Sequence, residues 1–249
     1  MATPFICIDG SYFVFYRVHA TLNWWKLAKK DTYDSIKNTP HESAEFVAKF
    51  CELCLKSIEK LAKYHKVGTD RVIIAKDCPR ANIWRMSLYP EYKGTRKSSG
   101  VVGAFFDIFY NTWTGCVLQH PNLEADDCIA LFVKYNTPAR IIANDNDYLQ
   151  LVCPEKHVEL WDLTNKNIGE KRSKSTIERP NWDVFVKIIN GDVSDNISPA
   201  YGKTLTPKQL DSLYCECGGD FRAIEHAIVA RNRTLVCFDY IPDIYQIEA

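Results

Sequence analysis

The chain has 249 residues, 46% hydrophobic and 12% aromatic, enough for a full core in one large domain or one domain with an appendage. Lys and Arg number 31, as do Asp and Glu, so the net charge is zero and any nucleic-acid contact must come from local patches, not an overall basic coat. No apolar run approaches the ~20 residues that cross a bilayer, and Asp9 interrupts the first apolar segment where a signal peptide would continue, so the expectation is a soluble monomer of the cytoplasm or nucleus.

In chain order, Pro4 to Ile8 reads as a buried strand ending on Asp9-Gly10, with a helix from Ser11 to Ala20 after it. His41 to His65 carries Phe46, Val47, Phe50, Leu53, Cys54, Ile58 and Leu61 at helical spacing. Arg71 to Ala75 is a second buried strand and stops on Lys76-Asp77. Cys78 to Gly100 then changes character: Arg80, Arg85, Lys93, Arg96 and Lys97 face a single acid, Glu91, and Trp84, Tyr89 and Tyr92 are interleaved. Basic residues mixed with aromatics suit phosphate contact and base stacking, which makes Arg80, Arg85, Tyr92 and Lys97 candidate nucleic-acid contacts.

Val101 to Trp113 resumes an apolar helix, with Asp107 on its surface, and Gly115 to Leu118 is a further strand. The stretch from Asn122 to Leu151 holds two acidic clusters: Glu124, Asp126 and Asp127 in the first turn of a helix, then Asp145 and Asp147 past a short strand, Arg140 to Ala143. Val158 to Leu163 alternates like an edge strand, and Lys166 to Arg179 is a polar, basic loop or hairpin. Trp182 to Asn190 is a helix that runs into Gly191-Asp192-Val-Ser-Asp195. Helices at Lys203 to Leu213 and Phe221 to Ala230 flank Gly218-Gly219, and the remaining apolar residues pack back on the core. The ten cysteines read as reduced, mostly buried thiols, since neither Cys51/Cys54 nor Cys215/Cys217 has a second half at zinc-ribbon spacing.

One strand ending on an aspartate is a turn. Three in one α/β chain, at Asp9, Asp77 and Asp145, point to a shared site outside the carboxyl ends of the sheet. So many anions together raise one another's pKa and call for a cation, and an oxygen-only donor set selects Mg²⁺ or Mn²⁺ over zinc.

Five strings in order, IDGSYFVFYRVHA, DCPRANIWRMSLYPEYKGTR, LEADDCIA, ANDNDYLQL and GDVSDNI, resemble the 5′-nuclease superfamily of flap endonucleases and 5′-3′ exonucleases over nearly the whole chain. The resemblance implies a Rossmann-like (PIN-like), mainly parallel sheet flanked by helices. It also implies an arch or clamp at 78–103 within a nuclease core (1–165), and a helix-three-turn-helix-like C-terminal helical subdomain (166–249). By position, Asp9, Asp77, Glu124 and Asp126 resemble ligands of a first Mg²⁺ ion; Asp145, Asp147 and Asp195, with Asp192 close by, resemble those of a second. Asp127 stands behind them, Lys93 and Arg96 resemble the basic pair at the scissile phosphate, and Arg17 lies on a helix that faces substrate.

The chain also departs from the family. The segment after Asp195 usually carries several glycines and grips duplex phosphate through K⁺. Here it reads SPAYGKTLTPKQL with Gly202 alone, leaving Lys203 and Lys208 as direct phosphate contacts. The arch region is short.

The implied activity is two-metal hydrolysis of DNA at 5′ ends, flaps, nicks or branches, with Mn²⁺ able to substitute for Mg²⁺ and Tyr92, Trp84 or Tyr12 stacking on a freed base. Two alternatives stay open: an inactive structure-specific DNA-binding module, and a related ribonuclease acting on RNA or RNA–DNA hybrids.

Overall fold

In the computed structural model, which describes residues 2–96, 100–169 and 181–245, strand β1 (Phe5–Asp9) forms the middle of a five-stranded parallel sheet. The order is β3-β2-β1-β4-β5, with β2 at Val72–Ala75, β3 at Cys116–Leu118, β4 at Ala139–Ile142 and β5 at Val158–Trp161. The chain builds one half of the sheet outward from β1 and then returns to β1's other side for β4, so the direction of winding reverses between β1 and β4. In doubly wound sheets that reversal opens a crevice at the carboxyl ends of the strands. Asp9 is in register with Ala75 and Ile8 with Ile142, so Asp9, Asp77 and Asp145 leave the sheet along one edge. The mainly parallel architecture matches the expectation; most of the expected basic loop and Lys97 lie outside the described residues.

Alternation along β1 splits the core in two. Ile6 and Ile8 face helices α1 (Gly10–Ala28), α3 (Ala44–Tyr64) and α5 (Gly103–Thr112), packing with Phe13, Phe50, Phe105 and Phe109. Cys7 faces the other side, with Ile141, Leu160 and the inner face of α6 (Ala125–Tyr135), where Phe238 and Ile241 also pack. A third cluster joins α7 (Trp182–Asn190), α8 (Pro207–Glu216) and α9 (Ala227–Val236) to Ile83 and Tyr92.

Several boundaries differ from the expected ones for local reasons. Helix α1 continues to Ala28 because Val14, Val18, Thr21 and Trp25 carry the buried stripe past Ala20. A short helix, α2 (Lys30–Ile36), follows it. Helix α8 starts at Pro207, where Thr206 and Gln209 form a capping box. The expected helix from Phe221 splits into a 3₁₀ turn (Phe221–Ala223) and α9. Cys116 is exposed, unlike Cys7 on the central strand, because β3 is an edge strand. Within 78–103, the described residues fold inward around α4 (Trp84–Leu88) and the turns that follow it. Among the described residues no helix is long and apolar enough to cross a membrane.

Gly10 fixes the turn out of β1: a Cβ there would overlap the Tyr110 hydroxyl and the Ala75 carbonyl. Gly10→Ala should therefore lower the unfolding free energy by about 1–3 kcal/mol. Urea denaturation measures this, and an unchanged midpoint would show that the contact relaxes freely.

Candidate functional site

Asp9 ends β1 and caps α1. One carboxylate oxygen accepts the Tyr12 amide at 2.9 Å, and the other accepts the Tyr148 hydroxyl at 2.9 Å. Asp77, two residues past β2, accepts the Ala125 amide at 2.8 Å and the Ser11 hydroxyl, so the end of β2 is tied to the start of α6. At that start Glu124 and Asp127 close a capping box, and carboxylate oxygens of Glu124, Asp126 and Asp127 lie within 4.8 Å of one another. Helix N-termini favour negative charge.

Asp127 is fully buried, and both its oxygens are engaged by Arg85 at 2.7 Å, with Trp84 Nε1 at 3.0 Å on one of them. Its lone pairs serve protein donors. Asp126, by contrast, is half-buried and its carboxyl is pushed well above the ordinary range by burial, then by Asp127 and Glu124.

The GDVSDN turn supplies the other side. Asp192 and Ile197 pair through both backbone hydrogen bonds, and the Lys93 amide donates to the Asp195 carbonyl at 2.8 Å. Arg96 pairs with the Asp195 carboxylate and reaches the Ser194 carbonyl at 3.2 Å. Lys93, 8% exposed, places its ammonium on Glu124 and 4.0 Å from Asp195. The sequence-predicted basic pair thus meets two of the predicted metal ligands.

Asp145 is exposed and caps the following 3₁₀ turn through the Asp147 amide at 3.0 Å. Asp147 is pushed to about 6 by burial, opposed by Lys187 and reinforced by Asp145. Asp9 also reaches about 6, through burial and then the Asp77 charge. In Asp192 burial works in the same upward direction, but hydrogen bonds from Lys187 and Ser194 outweigh it and hold the carboxyl at about 2.

Two of the expected nucleic-acid contacts are corrected by the geometry. Arg85 is 2% exposed; its guanidinium also donates to Glu124 at 3.1 Å and to the Leu235 carbonyl at 2.8 Å, so it faces carboxylates, not solvent. Tyr92 is buried, with its hydroxyl 3.1 Å from both Glu124 and Asp195, and Trp84 is buried too, so neither ring is open to a base. Arg80, Lys203 and Lys208 are exposed, and Arg17 is half-buried on α1.

Lys187 was not anticipated. It bridges Asp147 at 2.6 Å and Asp192 at 2.8 Å from the last turn of α7. The available signal was a lysine between apolar positions of a helix that runs straight into an acidic turn.

Residues 4–179 match the family 5′-3′ exonuclease, N-terminal resolvase-like domain. The D15 protein of bacteriophage T5 crystallised with metal ions has a similar structure, with TM-score 0.63 and 19% identity over 94% of this chain and 89% of that one. The bacteriophage T5 D15 flap endonuclease in a complex with DNA and metal ions gives TM-score 0.63 and 18% identity over 98% and 94% of the two chains. The T5 5′-exonuclease with bound zinc gives TM-score 0.61 and 18% identity over 93% and 84%. At such identities the likeness establishes the fold. No curated protein sequence matches the chain.

Replacing Arg85 with Met leaves Asp127 buried without its counter-charge, while Glu124 keeps Lys93, a loss of about 3–5 kcal/mol. Urea unfolding should separate it clearly from Arg80→Met at the exposed Arg80, where the change should stay within about 0.5 kcal/mol.

Asp9 and Asp147 also set a pH dependence. Their folded pKa values of about 6 lie above the ordinary 3.8, so the fold takes up protons that the unfolded chain has released. The stability they add is full below about pH 4 and is lost as pH rises through about 6, by up to ~3 kcal/mol for each group. In EDTA, Asp9→Asn should flatten the fall in stability between pH 4 and 7. Identical slopes in variant and wild type would rule the Asp9 contribution out.

Proposed function

The chain belongs to the 5′-3′ exonuclease family, and from that premise we propose that it is a divalent-metal-dependent nuclease hydrolysing DNA phosphodiesters at 5′ ends, flaps, nicks or branches. The observation that carries this reading is the meeting of carboxylates from β1, β2, α6 and the Asp192–Ile197 turn beneath two cations from one turn, Lys93 and Arg96. The T5 flap endonuclease complex with DNA and metal ions supports DNA as the substrate.

The donor set suits a hard cation. Asp9, Asp126 and Asp147 all hold protons more tightly than isolated carboxylates do, a cost of burial and mutual repulsion that bound positive charge removes. All are oxygen donors, which favours Mg²⁺ with Mn²⁺ as a substitute. Asp9, Asp77, Glu124 and Asp126 would hold one ion, and Asp145, Asp147 and Asp195, with Asp192 beside them, a second. When bound, the two ions supply an activated water and charge stabilisation for the departing oxygen.

The chain's own residues do the rest. Asp127 fixes the first turn of α6 through its hydrogen bonds with Arg85, Trp84 and the Glu124 amide, which holds Glu124 and Asp126 in place. The Lys93 ammonium and the Arg96 guanidinium turn to a scissile phosphate and favour the extra negative charge of its transition state. Lys187 steadies Asp147 and Asp192 against each other. Arg17, Arg80, Lys97, Lys203 and Lys208 contact the phosphate backbone without reading sequence. In this division, residues 1–165 form the nuclease core, and 166–249 add Asp192 and Asp195 to its carboxylates and hold duplex, in a monomer acting in DNA replication, repair or recombination.

A labelled 5′-flap duplex with Mg²⁺ tests the reading. Wild type should cut near the junction, Asp145→Asn with Asp147→Asn should not, and Lys93→Ala should lose about 10²–10³ in kcat. Wild-type protein that binds the flap and leaves it whole in both Mg²⁺ and Mn²⁺ would be a DNA-binding module instead.

A further inference from the structure

Tyr148 is a polar side chain in an apolar place. It is 1% exposed and belongs to the core that holds Cys7, Leu123, Ile141 and Phe238, with the Phe238 ring centroid 6.4 Å from its own. A phenylalanine would fill the same space, and a buried hydroxyl costs free energy unless it is hydrogen-bonded. Here the partner is Asp9, whose Oδ2 accepts the hydroxyl at 2.9 Å. Asp9 Oδ1 accepts the Tyr12 amide at 2.9 Å, so donors from two elements fix this carboxylate. One element is the first turn of α1, and the other is the 3₁₀ turn Asn146–Leu151. Each oxygen keeps a lone pair for a cation.

That 3₁₀ turn also carries two carboxylates of the second set. Asp145 caps it by accepting the Asp147 amide at 3.0 Å, and Asp147 immediately precedes Tyr148, about 3.8 Å away along the backbone. Asp9 belongs to the first set. A hydroxyl that holds Asp9 therefore also holds the turn on which Asp145 and Asp147 stand. Tyr92 and Lys93 face Glu124 and Asp195 as well, but they reach both from the segment after α4, which carries no carboxylate of either set.

We propose that Tyr148 is a positioning residue that couples the two ion sites: its hydroxyl ties the Asp145–Asp147 turn to Asp9, so that an ion held by the first set favours binding by the second. This role rests on the two-ion reading above and adds a route by which one site senses the other. Two divalent ions roughly 3.5–4 Å apart repel each other. The tether works against that repulsion, because an ion that fixes Asp9 also fixes the turn that the second ion needs, and the coupling acts equally in the reverse direction.

Mn²⁺ titration, followed by the electron paramagnetic resonance signal of the free ion, tests the coupling without any cleavage. Asp145→Asn with Asp147→Asn leaves the first site alone, and Asp77→Asn leaves the second. In the first background Tyr148→Phe should weaken the remaining ion about 10- to 100-fold, the size expected when a ligand loses its hydrogen-bonding partner. In the second background the loss should be about 5-fold or more. Tyr135→Phe, at a 64% exposed ring in the last turn of α6, should change neither. Thermal unfolding checks that each variant is folded. A further arm needs no change at Tyr148: the second ion should bind wild type at least as tightly as it binds Asp77→Asn protein, whereas bare repulsion would make it bind wild type more weakly. Unchanged affinity on Tyr148→Phe in either background overturns the coupling, and so does a weaker second ion in wild type. Wild-type protein that takes up one Mn²⁺ or none would remove the two-ion reading as well. Two ions in wild type with no effect of Tyr148→Phe would remove the coupling alone.

Discussion

A single guanidinium organises the acidic edge of the sheet. Arg85 lies under the first turn of α6 with its ring-facing surface 4.6 Å from Trp84, and it spends its donors on Asp127, Glu124 and the carbonyl of Leu235. The buried carboxylate of Asp127 is tolerable only because this paired geometry satisfies both its oxygens. With Asp127 held, Glu124 caps α6 and directs its carboxylate toward Lys93 and Tyr92. The direction of the acidic helix, and hence the position of Asp126, follows from a charge that never reaches solvent.

The segment from Trp84 to Arg96 is therefore a strap rather than an arm. It crosses from α6 to the Asp192–Ile197 turn and is fastened at both ends, by Arg85 at one and by the Lys93 amide, Arg96 and the Glu91 carbonyl at the other. Asn196 reaches the Glu91 carbonyl at 2.8 Å and adopts a left-handed backbone, which the tight turn requires. Lys93 itself has φ of +55°, unusual for a side chain of its size, so its approach to Glu124 is imposed by the turn. Such strain is sustained only where the surroundings over-determine it.

The strands and their terminal aspartates were legible because the information is local. An apolar run of four or five residues ending on Asp reads the same way at Asp9, Asp77 and Asp145, and parallel pairing then gathers the ends on one edge. The helix from Trp182 to Asn190 was legible too, from its apolar spacing and the glycine that ends it. Arg85, Trp84 and Tyr92 were misjudged because composition carries no direction. Their inward turn is decided by Glu124, Asp127, Asp195 and Leu235, between 32 and 150 positions away. The same blindness hid Lys187, whose partner Asp147 belongs to a different element.

The carbonyl that Arg85 reaches belongs to the last turn of α9, and α9 is itself pinned by the buried Asn232, whose amide donates to the carbonyls of Ile188 and Ser198 at 2.9 Å. The carboxylates near the amino terminus are thus braced by the far end of the chain. The acidic centre is not a transferable cassette: it is complete only when residues from Asp9 to Leu235 have assembled and the C-terminal helices close the circuit back to Arg85. During synthesis the same closure waits on Leu235, and a chain that has not yet reached it carries the acids without their brace.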